Sequence, residues 1–314
     1  MISFGPVPSR RLGMSLGINN IGSPKTCSYG CIYCQVGKTM KRTIVRTTFF
    51  EPEIIYRNVS LHLRKIKPGN YPDYLTFVSN GEPTLDINLG KSIMQLKKLG
   101  LPVAVITNGS LLTNNSVCDD LALADWVSVK IDAGNESIWR DINHPFNALD
   151  SNKITERIKL FKAEFGGKLC TESMIVKGIN DYDENFMVLA RMIREINHWK
   201  SYLAVPIRPP SCENVLPPEP ESLNRAWQIF NERNINVEFL TGFEGTDTGN
   251  TGNIYEDILN ITAVHPLREE ALLDLLRKDK AGYEVVESLL KQNLIRVAYY
   301  NGNKFFLGNV RMII

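Results

Sequence analysis

Residues 74–83 read Tyr74-Leu-Thr-Phe-Val78-Ser79-Asn80-Gly81-Glu82-Pro83, five strand-forming residues that run directly into a polar turn. The segments on either side have the period of helices. Glu51 to Lys67 places Ile54, Ile55, Val59, Leu61 and Ile66 at helical spacing and stops at Pro68-Gly69; Asp86 to Leu99 repeats the pattern after the turn. The alternation continues with strand Val103 to Thr107, helix Asn114 to Leu123, strand Trp126 to Ile131, helix Lys153 to Phe165 and strand Leu169 to Val176. Helix Glu184 to Asn197, strand Leu203 to Ile207, helix Ser222 to Arg233 and a short strand Val237 to Leu240 complete it. With an opening strand near Met14 to Ile18, this run of βα units predicts a parallel sheet with helices outside, doubly wound or closed toward a barrel. Polar residues come after strand upon strand, at Ser79 to Glu82, Asn108-Gly109, Asp132 and Arg208. Such folds bind ligands at the C-terminal ends of their strands, so these loops are expected to face one site.

The chain has 314 residues, 43% apolar and 22% charged, enough for two domains and a sizeable core. A net charge of +2 excludes polyanion binding by bulk charge and excludes a disordered acidic chain. Nowhere do 18 uncharged apolar residues run together, so no membrane span is expected. Ser9-Arg10-Arg11 has the look of a twin-arginine signal, but Gly13, Gly17, Asn19 and Asn20 interrupt the residues after it, and a cytoplasmic location is expected. The charge is unevenly placed. Residues 1–50 hold Arg10, Arg11, Lys25, Lys38, Lys41, Arg42 and Arg46 without one acid, +7, leaving −5 for the rest. This arm is either a solvated surface or the neighbour of an anionic group.

Gly242 to Asn253 has no core-forming period and separates residues 1–252 from a second unit, 253–314. The second unit reads as a helix from Ile254 to Thr262, a helix opened by Pro266, a helix from Tyr283 to Gln292, and strands Leu294 to Tyr300 and Lys304 to Val310 around Asn301-Gly302, the type I′ hairpin dipeptide. Three helices and a hairpin make a winged-helix pattern. Its eight basic side chains meet eight acidic ones, and its last helix carries Glu284, Glu287 and a single Lys291, so sequence-specific DNA reading is not expected. Protein docking or covering of a substrate is.

Cys27-Ser-Tyr-Gly-Cys31-Ile-Tyr-Cys34 places three thiols at C-x3-C-x2-C spacing, with no fourth Cys nearer than Cys118 and no His on the loop. A structural zinc site draws four ligands; three thiolates on one loop suit a cubane iron–sulfur cluster with one iron open to a ligand. Cys118, Cys170 and Cys212 are separated by 51 and 41 residues, spacing that suits buried single cysteines rather than a second cluster. His144, His198 and His265 stand alone beside helix ends or proline and read as surface or capping residues.

On this loop, with Tyr33 just before the third cysteine, the chain resembles the radical S-adenosylmethionine enzymes across roughly residues 1–250. Ser79-Asn80-Gly81-Glu82-Pro83 is similar to their Gly-Gly-Glu segment, with Asn80 in place of the first glycine. Phe4-Gly-Pro-Val-Pro-Ser-Arg-Arg-Leu-Gly13 and Thr241-Gly-Phe-Glu-Gly245 resemble iron–sulfur oxidoreductases grouped with wyosine-forming tRNA enzymes, although no second cysteine set precedes Cys27. The resemblance implies a partial (β/α)6 TIM-like barrel and a [4Fe–4S] cluster held by Cys27, Cys31 and Cys34. It implies S-adenosylmethionine chelated at the open iron and cleaved by an electron to a 5′-deoxyadenosyl radical that abstracts hydrogen from a substrate. Asn80, Gly81 and Glu82 would receive the methionyl amine and the backbone of Tyr33 would meet the adenine.

Further cofactor-binding candidates are marked by position. Ser128, Lys130 and Asp132 alternate along one strand and so share a face, where Lys130 either holds the cofactor carboxylate or pairs with Asp132. Of Glu172 and Ser173, which face oppositely, one would bond the ribose; Thr107 and Asn108 would line the site, and Arg208 would meet cofactor or an anionic substrate. The substrate is expected to be RNA, from the subgroup resemblance and the basic arm, or a protein, from the neutral tail. A metal-sensing winged-helix regulator is the reading without catalysis. An electron donor such as flavodoxin or ferredoxin is the implied partner.

Overall fold

The computed structural model describes residues 2–67 and 69–309. Pro68, expected at the end of the first helix, and Val310, expected to close the last strand, lie outside the described residues. The chain opens with a strand that the alternation of patterns does not reveal, β1 (Ser3–Ser9), antiparallel to β2 (Gly13–Ile18). Pro6 and Pro8 make this stretch read as a breaker, yet at a sheet edge the missing proline donors cost no ladder bond. Two-residue strands β3 (Thr26–Cys27) and β4 (Lys41–Arg42) pair across the cysteine loop. Then come α1 (Pro52–Lys65), β5 (Tyr74–Phe77), a 3-10 turn (Pro83–Leu85), α2 (Leu89–Lys97), β6 (Val103–Thr107), α3 (Asn115–Ala122), β7 (Trp126–Lys130) and α4 (Glu136–Asn143). The run closes with α5 (Ser151–Glu164), β8 (Lys168–Met174), α6 (Asp183–Ile196), β9 (Lys200–Ala204), α7 (Pro220–Asn231) and β10 (Val237–Leu240).

Eight strands form one sheet in the order β1-β2-β5-β6-β7-β8-β9-β10, in which every pair after β1-β2 is parallel. This is a curled, open half-barrel, the partial TIM-like barrel expected. Val103, Val105, Val127 and Val129 pack outward against Ile55, Val59, Leu96 and Ile158 of the helices. Ala104, Trp126, Cys170 and Tyr202 face inward and fill the bottom. Because strand side chains alternate, Ser128 and Lys130 share the inner face with Trp126, and Glu172 shares it with Cys170. The inner wall is therefore apolar at its base and charged at its C-terminal rim.

Several boundaries differ from those expected, each for a local reason. Strand β9 ends at Ala204 rather than Ile207, which puts Arg208 in the loop beyond it. Strand β7 ends at Lys130, so Asp132 leaves the alternation of Ser128 and Lys130. The helix expected from Asp86 begins at Leu89, because the Asp86 carboxylate accepts Asn88 N–H at 3.0 Å and a 3-10 turn occupies the preceding residues. Helix α4, too short for a periodic signal, is capped by Asn135 and ended by His144 in the left-handed conformation.

Beyond residue 253 come α8 (Ile254–Thr262), β11 (Leu267–Arg268), α9 (Glu269–Lys278), α10 (Glu284–Lys291), β12 (Ile295–Tyr300) and β13 (Asn303–Gly308), the strands forming a sheet β11-β13-β12. Asn301 and Gly302 have φ of 48° and 75°, the two positive values a type I′ turn requires. Ile258, Leu272, Leu275, Val286, Leu289 and Phe306 make a core of their own, joined by Val7 from β1. Among the described residues no helix is long and apolar enough to cross a membrane.

Candidate active site at the strand ends

The cysteine loop lies over the C-terminal rim and is fixed there by elements remote in sequence. Gly30 N–H donates to Asn143 O at 2.9 Å and Ile32 N–H to Ile142 O at 3.0 Å, so the end of α4 carries the loop. Ser211 Oγ lies 2.8 Å from both Cys31 O and Ile32 O, and the Tyr33 hydroxyl donates to Asp132. Each thiol sulfur has its own donor: Asn108 Nδ2 at 3.7 Å from Cys27 Sγ, Asn143 Nδ2 at 3.4 Å from Cys31 Sγ, and Lys25 Nζ at 2.9 Å from Cys34 Sγ. Burial pushes the Cys31 thiol up to about 11 and the Cys27 thiol higher still. Among the described residues no three His, Cys, Asp or Glu side chains gather closely enough for one ion. A cubane asks for something different, one thiolate to each of three irons. Three sulfurs on one loop, each with an N–H donor, fit that demand.

Glu82 is buried beneath the loop, and its carboxylate is fully engaged by the fold. It accepts Thr84 N–H at 3.1 Å, Thr84 Oγ1 at 2.6 Å, Asn108 N–H at 2.8 Å and the Thr107 hydroxyl. Burial pushes its carboxyl above the usual range, against these bonds. Glu82 N–H donates to Thr26 O at 3.1 Å, and a Cβ on Gly81 would lie 1.8 Å from the same carbonyl, so only glycine lets this turn pass the cysteine loop. Asn80 Oδ1 is buried and without a hydrogen-bond partner.

The pairing expected between Lys130 and Asp132 falls on a different carboxylate. Lys130 Nζ pairs with Glu172 at 2.5 Å, its register neighbour on β8, and not with Asp132. Asp132 instead accepts Met174 N–H and Asn143 Nδ2, both at 2.7 Å, besides Tyr33. Arg11, from the β1–β2 turn, also pairs with Glu172. Burial opposes the Glu172 charge, but Arg11 and Lys130 overcome it and hold the carboxyl at about 2. Ser173 turns away and donates to Ile131 O at 2.6 Å.

Arg208 pairs with Glu244, which lies beyond β10, and donates at 2.6 Å to Oε1 of Gln35, the residue after Cys34. His265 Nε2 lies 3.2 Å from Glu244. His265 is therefore a half-buried member of this cluster and not the surface residue its sequence setting suggests; burial and Arg208 push its pKa down. Around the cluster lie two adjoining cavities, of about 140 Å³ toward residues 265–305 and about 100 Å³ inside the half-barrel.

The basic arm divides. Arg46 donates to Thr84 O at 2.9 Å, to Asp86 O at 2.8 Å and to Ser116 Oγ at 2.7 Å, and pairs with Asp120, so it is a structural residue. Arg11 and Lys25 are engaged as described, and Arg10 donates to Leu240 O. Lys38, Lys41 and Arg42 line the surface beside Met40 and Val45, which are 69% and 70% exposed. Sequence reasoning does not single out Asn143 or Ser211, and it meets Glu244 only within Thr241–Gly245, with no role assigned; Glu244 stands four residues past the end of β10.

The family model for the radical SAM superfamily matches residues 23–192, more than half of the chain. A UPF0026 protein of Methanocaldococcus jannaschii is 42% identical over 312 residues, covering 99% of this chain and 97% of that protein. Among solved structures, a radical SAM methyltransferase from Sphaerobacter thermophilus shares the fold with a TM-score of 0.57 at 19% identity, over 72% of this chain and 66% of that one. TYW1 with a lysine-pyruvate adduct bound does so with a TM-score of 0.53 at 18% identity, over 69% and 73%. The thiol triad on the barrel rim and these matches agree: the chain belongs to the radical SAM superfamily, enzymes that use a [4Fe–4S] cluster and S-adenosylmethionine.

Proposed function

We propose that this enzyme modifies RNA in the cytoplasm, with Cys27, Cys31 and Cys34 holding the cluster and with a flavodoxin- or ferredoxin-like reductant. Bound there, the reduced cluster supplies the electron that cleaves S-adenosylmethionine to a 5′-deoxyadenosyl radical for hydrogen abstraction. The chain's own residues do the rest. Asn108, Asn143 and Lys25 steady the three sulfurs, and Glu82 sets the turn whose Asn80 Oδ1 and backbone carbonyls would receive the methionyl ammonium. Residues 253–314 act as a winged-helix-like module that covers the barrel mouth and shields it from water.

The observation that carries the RNA reading is the rim of Lys38, Lys41 and Arg42 shortly beyond the third cysteine. Cations on this rim lie where a phosphate backbone would pass to bring a nucleotide to the barrel mouth. Anisotropy titrations of labelled RNA over a range of salt test it. The change Lys38→Gln/Lys41→Gln/Arg42→Gln should flatten the salt dependence by roughly 0.7 for each phosphate that is no longer neutralised. Weak, salt-indifferent RNA binding by the intact protein would move the substrate to the protein class.

A further inference from the structure

The two cavities at the Arg208–Glu244–His265 cluster adjoin one another, and their lining is chemically uneven. Arg10, Arg11 and Arg208 stand on the barrel side, with Glu244 the one carboxylate among the residues lining that cavity. Counting Lys130 and Glu172 behind Arg11 changes nothing: the surplus is two positive charges either way. Arg10 has no carboxylate partner among its hydrogen bonds, only the carbonyls of Leu240 and Gly242. Burial, with Arg11 and Arg208 close by, pulls Arg10 down to about 10, as a surplus of cation would.

The other lining groups ask for something besides an anion. Glu244 Oε2 is buried without a hydrogen-bond partner, an acceptor waiting for a hydroxyl or amino donor. On the far side the Arg268 guanidinium lies 4.7 Å from the centre of the Phe243 ring, both at the wall of the larger cavity. Guanidinium planes and aromatic rings are the surfaces on which nucleobases stack.

We propose that this seam cavity binds one nucleotide unit of the substrate, with its phosphate toward Arg10, Arg11 and Arg208, a sugar hydroxyl toward Glu244, and its base against Phe243 and Arg268. The proposal deepens the RNA reading and rests on it only for the source of the nucleotide, which is a residue of RNA or a free mononucleotide. Since His265 and Arg268 come from the segment beyond residue 253, that segment completes the site. Arg208 donates to Gln35, next to Cys34, and pairs with Glu244, so the Arg208–Glu244 end of the site lies beside the cluster loop.

Calorimetry on the anaerobic, cluster-loaded full chain tests it with a nucleoside 5′-monophosphate, the matching nucleoside and a short oligoribonucleotide. The monophosphate should bind at least tenfold tighter than the nucleoside. Arg10→Gln and Arg208→Gln should each remove that difference, and Arg268→Ala, on a half-buried side chain, should weaken monophosphate and nucleoside alike. If Arg208→Gln does not fold, Arg10→Gln and Arg268→Ala still give the two signatures. Tighter binding of the oligoribonucleotide assigns the site to RNA. Binding of the mononucleotide alone supports the site and overturns the RNA reading. Equal binding of nucleotide and nucleoside, no binding, or competitive displacement by S-adenosylmethionine overturns the proposal. Cofactor cleavage by the same preparation separates the cases: cleavage without nucleotide binding defeats the cavity assignment alone, and absent cleavage defeats the reaction assigned above.

Discussion

Lys25 Nζ stands 2.9 Å from Cys34 Sγ, and the pair fastens a buried cation to the last of the three clustered sulfurs. Charge and hydrogen bonds at cluster sulfurs set the potential of the iron–sulfur group. A cation favours the more negative, reduced state. Lys25→Met is therefore expected to shift the potential downward by on the order of tens of millivolts, at about 59 mV per tenfold change for one electron. A redox titration monitored by electron paramagnetic resonance reads it, and an unmoved potential would show that Lys25 serves only the loop.

Iron content separates the two classes of cysteine. Cys27→Ala, Cys31→Ala and Cys34→Ala should each abolish the brown colour of anaerobically reconstituted protein. Cys118→Ala and Cys170→Ala should keep about four irons per chain. Cys212 is the informative case, because its N–H donates to Ile32 O at 3.0 Å and its side chain packs beside the cysteine loop. Its alanine variant should also keep the iron; loss would make it a further ligand.

Glu82→Gln should act on the fold as well as on the cofactor. Four donors converge on this buried carboxylate, and a carboxamide must turn its NH2 toward some of them. The expected cost is about 1–3 kcal/mol of stability. Denaturant unfolding measures it beside the affinity for S-adenosylmethionine; reduced affinity at unchanged stability would identify Glu82 as a direct ligand of the cofactor instead.

Acid should destabilise the protein partly through His198. Burial lowers its pKa from 6.5 to about 4, with Nδ1 3.2 Å from Ile193 O. The unfolded chain thus takes the proton first, so the stability from neutral His198 is complete above pH 6.5 and is lost as pH falls toward 4. The loss is on the order of 2 kcal/mol. Unfolding between about pH 7 and 4.5 should be less pH-dependent in His198→Gln than in the parent, since only the parent carries this linkage; identical slopes would clear this residue.

The half-barrel is legible in the sequence because each βα unit is a local pattern, strand run and helix period within some 30 residues. The cysteine loop is legible because spacing on one loop is chemistry by itself. What the sequence hides is long-range pairing. Nothing near Cys31 announces Asn143, and Lys130 looks as ready for Asp132 as for Glu172 until the register of β7 on β8 sets Lys130 beside Glu172. The basic arm misleads for the same reason: Arg46 counts as a free charge until Asp120 is brought against it. Strand β1 and helix α4 escape notice because prolines mask the one and brevity the other.

Val7 sits among Ile258, Leu272 and Phe306, and Pro6 O accepts the N–H of Gly249, so strand β1 is covered by side chains synthesised about 250 residues later. At ribosomal speeds of roughly 5–20 residues per second, that edge waits on the order of tens of seconds for its cover. A bare edge strand invites pairing with other chains. Pro6 and Pro8, which cannot donate to a foreign ladder, protect it during the interval. The same two residues that disguise β1 in the sequence thus act as its guard during synthesis, and replacing them would be felt in aggregation of the nascent chain before any loss in the finished enzyme.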